Sequence, residues 1–182
     1  MPIFTVGHSN RSWAEFLDVL RPAGIRQLID VRRFPVSRRY PQFSRDEMAP
    51  ALAEAGIAYR HMPELGGYRD SQASAADSPN DGIPSGFLRN YADYAMTPAF
   101  GTALQRLRDG LVPGTAIMCA EKNWRDCHRQ VITDYLLAAG HPVIHLIDSQ
   151  TREEAELAAS CSIQPDGTII YRANSRQLGF GF

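Results

Sequence analysis

Short apolar runs alternate with helical patterns along most of this chain, and this alternation limits the fold more than any other feature. It is typical of βαβ units, in which a helix connects two parallel strands. We therefore predict an α/β fold: a three-layer, mostly parallel open sheet (Rossmann-like) with helices on both faces. The predicted core strands span residues 3–7, 27–31, 57–62, 115–119 and 142–147.

Four places carry the signal of a helix start, a serine or threonine with glutamate three residues later or with proline next. They are Ser12 with Glu15, Ser44 with Glu47, Thr97 before Pro98, and Thr151 with Glu154. The last predicts a short C-terminal helix, and a Pro-Asp-Gly turn at 165–167 predicts a terminal β-hairpin over 163–172. Residues 127–139 form a further helical pattern.

The length of 182 residues suits one domain. We predict a single α/β domain over residues 1–182, with its core at about 3–148 and the C-terminal helix and hairpin at about 151–174. Residues 68–84 are rich in Ser, Ala, Asp, Asn, Gly and Pro and lack an apolar period, so we predict a long surface loop there.

The formal net charge of −1 provides no overall attraction to nucleic acid or membrane, so anion binding must come from local clusters. We expect a cytoplasmic protein without a membrane partner, because no apolar run reaches the length of a membrane span and residues 1–10 do not resemble a signal peptide. The odd count of three cysteines argues against a disulfide framework in a reducing compartment.

Polar residues follow four of the predicted strands. Because ligands bind beyond the carboxyl ends of the strands in open parallel sheets, we predict one shared cleft at that edge. The residues, in strand order, are His8 and Ser9; Asp30, Arg32 and Arg33; His61; and Cys119, Glu121, Cys127, His128 and Arg129.

Several of these residues belong to a set of short motifs. The motifs are Thr-Val-Gly-His-Ser at 5–9, Asp-Val-Arg at 30–32 with Pro35 and Ser37, His-Met-Pro-Glu-Leu-Gly-Gly at 61–67, Tyr-Ala-Asp-Tyr at 91–94, Cys-Ala-Glu at 119–121 and Cys-His-Arg at 127–129. Together they resemble the family catalogued as domain of unknown function 488. The resemblance runs from about residue 3 to 148. It implies a compact α/β domain and carries no established reaction.

The densest polar cluster runs from Cys119 to Arg129. If a helix begins near Cys127, its free N–H groups and dipole would favour an anion there and lower the pKa of a thiol. The alternative is that both thiols are core residues. Cys119, Cys127 and His128 are also candidate metal ligands, although their spacing is not a standard structural zinc pattern. The cofactor stays unknown, because no dinucleotide or Walker motif is present.

A run of arginines with interleaved aromatic residues follows the second strand. It contains Arg32, Arg33, Arg38, Arg39 and Arg45 with Phe34, Tyr40 and Phe43. Such a segment can hold phosphates and stack bases, or it can be a solvated loop whose arginines pair with acids elsewhere. Gly66 and Gly67 would suit a lid hinge or a plain connection.

The leading hypothesis is an enzyme that acts on a phosphate-bearing substrate, a nucleotide or a nucleic acid, with hydrolysis as the favoured reaction class. Two alternatives stay open: a nucleotide or nucleic-acid sensing module without turnover, and a metal- or thiol-based redox protein using Cys119, Cys127 and His128. The predicted catalytic residues are His8, Asp30, Glu121, His128 and Cys119, and the predicted substrate-binding residues are Ser9, Arg32, Arg33, Ser37, His61 and Arg129.

Overall fold

The computed structural model describes residues 1–69, 78–84 and 86–173. The main sheet has six strands in the order β3-β2-β4-β1-β5-β6, with all neighbours parallel except β6, which runs antiparallel to β5. The strands are β1 (Ile3–Gly7), β2 (Gln27–Asp30), β3 (Ala58–His61), β4 (Thr115–Cys119), β5 (Val143–Leu146) and β6 (Arg152–Glu154), with β7 (Cys161–Ile163) and β8 (Ile169–Tyr171) forming a separate antiparallel hairpin. The predicted fold class is confirmed.

Five helices within the described residues cover both faces of the sheet. They are α1 (Trp13–Leu20), α2 (Arg45–Glu54), α3 (Phe87–Ala95), α4 (Pro98–Asp109) and α5 (Arg129–Ala138). Side chains alternate along a strand, so a strand buried on both sides serves two cores. In β4, Ala116 and Met118 pack with α1 and α2, whereas Ile117 and Cys119 pack with α3, α4 and α5.

Two of the predicted helix starts are confirmed by their cap contacts. Ser12 and Glu15 form a reciprocal capping box at α1, and the Thr97 hydroxyl accepts from the backbone N–H of Phe100 at α4. At α2 the predicted capping box is wrong, because the Ser44 side chain caps nothing. Its hydroxyl instead accepts from the backbone N–H of Ser37 at 3.0 Å, which closes the loop between β2 and α2.

The predicted short helix at Thr151 is also wrong, since that segment is β6. Its backbone pairs with β5, for example Glu153 opposite His145, and these hydrogen bonds outweigh the local capping signal. Helix α5 begins at Arg129 with His128 as its N-cap, two residues later than predicted. The hairpin was predicted correctly, although the end of the C-terminal segment at 174 lies outside the described residues.

The predicted surface loop at 68–84 is only partly described, since residues 70–77 lie outside the described ranges. Its later part is not a simple surface segment. Asn80 is fully buried and joins two elements: its amide donates to Asp93 in α3 at 2.7 Å and accepts from the backbone N–H of Tyr171 in β8 at 2.9 Å. Over the described ranges, no helix combines the length and apolar character needed to cross a bilayer.

Candidate functional site

An open cavity of about 670 Å³ lies beyond the carboxyl ends of β2, β4 and β1, which are neighbours in the sheet. This is the edge where open parallel sheets bind ligands. The structure brings most of the predicted site residues to this cavity. They are His8, Ser9, Arg32, Arg33, Ser37, Cys119, Glu121 and His128.

The turn after β1 reaches the cavity because it continues pairing with β4. The backbone N–H of His8 donates to the carbonyl of Cys119 at 2.9 Å, and that of Ser9 donates to Ala120 at 2.8 Å. Gly7 is required here, because a Cβ on it would lie 1.8 Å from the backbone oxygen of Glu121. The glycine therefore lets the loop carrying Glu121 cross the end of β1.

Asp30 and Arg32 form a buried ion pair beneath the cavity. Asp30 is fully buried and Arg32 is 7 % exposed. The guanidinium donates from Nε and one terminal nitrogen to the two carboxylate oxygens, at 2.9 and 2.6 Å, and Tyr59 donates to the same carboxylate at 2.9 Å. Burial alone would lower the pKa of Arg32, but the hydrogen bonds and charge of Asp30 raise it above its usual value. Asp30 therefore holds the guanidinium of Arg32 in place, but Asp30 does not line the cavity itself.

His8 is held as a neutral imidazole next to this pair. Its Nδ1 lies 2.8 Å from the carbonyl of Ser9, which can only accept, so Nδ1 carries the proton and Nε2 accepts from Arg32 at 3.3 Å. Burial and the charge of Arg32 lower the pKa of His8 to about 4. Its ring stacks on Phe43 at a centroid distance of 4.3 Å. His8 is therefore placed to position Arg32 and is a poor proton donor near neutral pH.

Two thiols, a carboxylate and an imidazole meet at the floor of the cavity. Oε2 of Glu121 lies 2.9 Å from Sγ of Cys119 and 3.4 Å from Sγ of Cys127. Nδ1 of His128 lies 3.7 Å from each sulfur. Both cysteines and His128 are buried, whereas Glu121 is exposed. The cluster thus combines buried sulfur and nitrogen donors with one carboxylate that solvent reaches.

The two thiols differ in their acidity. A hydrogen bond to Cys127, burial and the nearby Glu121 raise the pKa of Cys119 well above its usual value. Burial also disfavours ionisation of Cys127, but the hydrogen bond from Cys119 and the charge of Arg129 lower its pKa well below normal. Cys127 is therefore the more acidic thiol of the pair. The helix expected to begin near Cys127 begins two residues later, at Arg129, so Cys127 precedes its N-cap, His128.

Cations and exposed aromatic rings surround the cavity mouth. Arg39 and Lys122 are exposed and line it together with Arg33. Phe34 and Tyr68 are 65 % and 63 % exposed, and their ring centroids lie 6.4 Å apart. Of the arginine run, Arg38 does not line the cavity, and Arg45 lies beside Asp46 at 3.5 Å on another surface.

Two predicted ligand-binding residues lie elsewhere. Arg129 is 1 % exposed, and its guanidinium donates to the carbonyl of Glu121 and, from Nε, to Sγ of Cys127 at 3.3 Å. Arg129 therefore contacts the cluster without lining the cavity. His61 bonds through Nε2 to the carbonyl of Arg32 at 2.8 Å and lines a separate cavity between α2 and β3. His61 therefore contacts a cavity residue, Arg32, but does not line the cavity itself.

Sequence reasoning did not single out Phe87 and Tyr68 as cavity residues. Phe87 begins α3 and its ring meets His128 edge-on at 6.3 Å. No local pattern marks it, because its position depends on how α3 packs over β4. Gly67 has a packing role: a Cβ there would lie 2.3 Å from Nδ1 of His128. Tyr91 is fully buried, packs on His128 at 5.0 Å and donates to the carbonyl of Leu65.

The fold and the cavity define an α/β protein with one polar, cation-rimmed site at the carboxyl edge of a mostly parallel sheet. The chain belongs to the family described as Domain of unknown function DUF488, whose sequence model matches residues 12–136. The resemblance seen in the motifs is thereby confirmed. No curated protein and no solved structure showed a significant match.

Proposed function

We propose that this protein is an enzyme that binds a phosphate-bearing substrate, a nucleotide or a nucleic-acid strand, in the cavity and hydrolyses it. The observation that carries the proposal is the combination, at the cavity mouth, of exposed aromatic rings with cations that form no close ion pair among the described residues. None of the ion pairs between described residues includes Arg33, Arg39 or Lys122. Such cations attract phosphates, and exposed rings such as Phe34 and Tyr68 stack on bases.

We assign the acid–base role to Glu121. It is the exposed carboxylate of the cluster and lies on the cavity wall, so it can take a proton from an attacking water molecule. Cys119 acts as a positioning residue in this scheme, because its Sγ lies 2.9 Å from Oε2 of Glu121. His8, being neutral and engaged with Arg32, positions that guanidinium toward the substrate.

A module that binds nucleic acid without turnover is the second candidate. The exposed aromatic and basic rim favours it, because stacking and phosphate contacts alone need no acid–base group. In either role we expect the protein to work in the cytoplasm, a reducing compartment in which its three free thiols would persist.

The binding part of the proposal is tested with a fluorescently labelled, 5′-phosphorylated single-stranded oligonucleotide. We expect Arg39→Ala and Lys122→Ala each to weaken binding and to lower the slope of log affinity against log salt by about 0.7, the value for one phosphate contact on a single strand. Arg38→Ala is the matched control, because Arg38 is exposed, belongs to the same segment and does not line the cavity. Equal effects of all three changes would contradict the assigned site.

Turnover is tested by incubating the wild type and Glu121→Gln with a panel of nucleotides and oligonucleotides and separating the products by chromatography. We expect Glu121→Gln to bind the oligonucleotide like the wild type and to lose turnover by about 10²–10⁴-fold, the usual contribution of a general base. Cavity-dependent binding without turnover by the wild type would overturn the hydrolase proposal in favour of the binding module.

A further inference from the structure

We propose that Cys119, Cys127 and His128 form a zinc-binding site at the floor of the cavity. Their two sulfur atoms and one ring nitrogen lie within 4.8 Å of one another, and all three residues are buried. Thiolate and imidazole are the ligands that zinc prefers, whereas magnesium and calcium prefer oxygen.

The distances between the donor atoms fit one tetrahedral ion. Nδ1 of His128 lies 3.7 Å from Sγ of Cys119 and 3.7 Å from Sγ of Cys127. Zinc bonds of about 2.3 Å to sulfur and 2.0–2.1 Å to nitrogen, at tetrahedral angles, separate sulfur from nitrogen by about 3.6 Å. Both sulfur-to-nitrogen distances therefore agree with those expected around a shared ion.

The orientation of His128 is that of a metal ligand. Its Nε2 lies 3.2 Å from the carbonyl of Val31, which can only accept, so the proton sits on Nε2 and the Nδ1 lone pair faces the two sulfurs. Metal-binding histidines are commonly fixed in this way, by donating the other ring N–H to a backbone carbonyl. Gly67 lies against the same ring nitrogen, where a side chain would collide with it.

The surroundings also suit two thiolates. Nε of Arg129 donates to Sγ of Cys127 at 3.3 Å, so a buried cation stabilises that sulfur. Two thiolates balance the charge of a divalent ion, which makes the burial of the whole cluster less costly.

The remaining coordination position faces the cavity, because Cys119 and His128 line it while Cys127 lies behind them. Zinc nucleobase deaminases use the same two-cysteine, one-histidine set and a non-ligating glutamate two residues after the histidine ligand. In this chain Glu121 stands two residues after a cysteine ligand, Cys119. Zinc held by Cys119, Cys127 and His128 would supply a more acidic water molecule, and Glu121 would be the group that accepts its proton. This catalytic role rests on the proposed function, whereas the metal site does not.

The metal site is tested on full-length protein that is purified without a nickel column, fully reduced and stripped with a chelator. We expect cobalt(II) to bind with one-to-one stoichiometry and to produce a sulfur-to-cobalt charge-transfer band, which zinc then removes by displacement. Cys119→Ser and Cys127→Ser should lose the band. Cys161→Ser is the matched control and should keep it, because Cys161 lies in β7, outside the cluster.

X-ray absorption at the zinc edge of the wild type keeps the test decisive even if a serine variant unfolds. We expect two sulfur ligands at about 2.3 Å and at least one nitrogen ligand. The proposal is overturned if the reduced wild type binds no cobalt or zinc, if fewer than two sulfurs surround the ion, or if Cys161→Ser alone removes the band. Failure of zinc binding would leave oligonucleotide binding unchanged, so the two proposals fail separately.

Discussion

The buried pair of Asp30 and Arg32 allows a quantitative prediction for Asp30→Asn. The change keeps the shape of the side chain but leaves the Arg32 guanidinium, which is only 7 % exposed, without its counter-ion. Breaking a buried ion pair by neutralising one partner costs about 3–5 kcal/mol. The backbone N–H of Arg32 and the hydroxyl of Tyr59 also donate to this carboxylate, so we expect the upper part of that range.

The assay is urea unfolding followed by circular dichroism, within a double-mutant cycle. Arg32→Met should also cost several kcal/mol, because it leaves Asp30 buried and charged. The double variant removes both buried charges together. Its loss in free energy of unfolding should therefore be smaller than the sum of the two single losses, by at least about 1.5 kcal/mol.

The matched control is the exposed pair of Glu64 and Arg106, whose charged atoms lie 3.0 Å apart with side chains 43 % and 54 % exposed. Glu64→Gln should lower the free energy of unfolding by less than about 1 kcal/mol. The reasoning is refuted if Asp30→Asn costs no more than Glu64→Gln, or if the two changes in the buried pair are additive.

Two further predictions concern stability. Burial raises the pKa of Asp134 to about 6 in the folded protein, above the ordinary 3.8, so the native state binds more protons than the unfolded chain between these values. Asp134 therefore lowers stability as pH rises through that window, and the free energy of unfolding of Asp134→Asn minus that of the wild type should grow by about 2 kcal/mol from about pH 4 to about pH 7. A difference that stays constant across urea titrations at both pH values would refute this. Gly7→Ala should destabilise by about 1–3 kcal/mol or more, because its Cβ would collide with the Glu121 backbone, whereas Gly101→Ala, in α4 with nothing within 4 Å, should stabilise by up to about 1 kcal/mol. Thermal or urea unfolding measures both, and equal effects would contradict the steric argument.

The core of the fold could be predicted because its signals are local and strong. The bounds predicted for β1 and β4 agree with the structure to the residue. Those for β2 differ by one residue at one end, and those for β3 and β5 by one residue at each end. The exposed edge strand β6 could not be recognised. Three polar residues adopt an extended form there because β5 offers backbone partners, and a local pattern contains no information about those partners.

The location of the candidate site was predictable, since strand polarity brings the carboxyl ends to one edge. The direction in which each side chain points was not. Arg129 follows His128 directly, yet its side chain turns behind the cluster to the carbonyl of Glu121, because the first turn of α5 points it away from the cavity. Phe87 was missed for a related reason: its place depends on the packing of a helix from a distant part of the chain.

The strand order has a consequence for how this protein forms during synthesis. β1 and β2 leave the ribosome before the other strands of this sheet, but they do not pair with each other; β4, about 85 residues after β2, separates them. Until residues 115–119 emerge, both strands present an unsatisfied backbone edge to their surroundings, and such edges invite pairing with other chains. A nascent chain stalled before β4 should therefore depend on chaperones. It would also lack the candidate site, since β4 is the strand that brings Cys119 to that edge of the sheet.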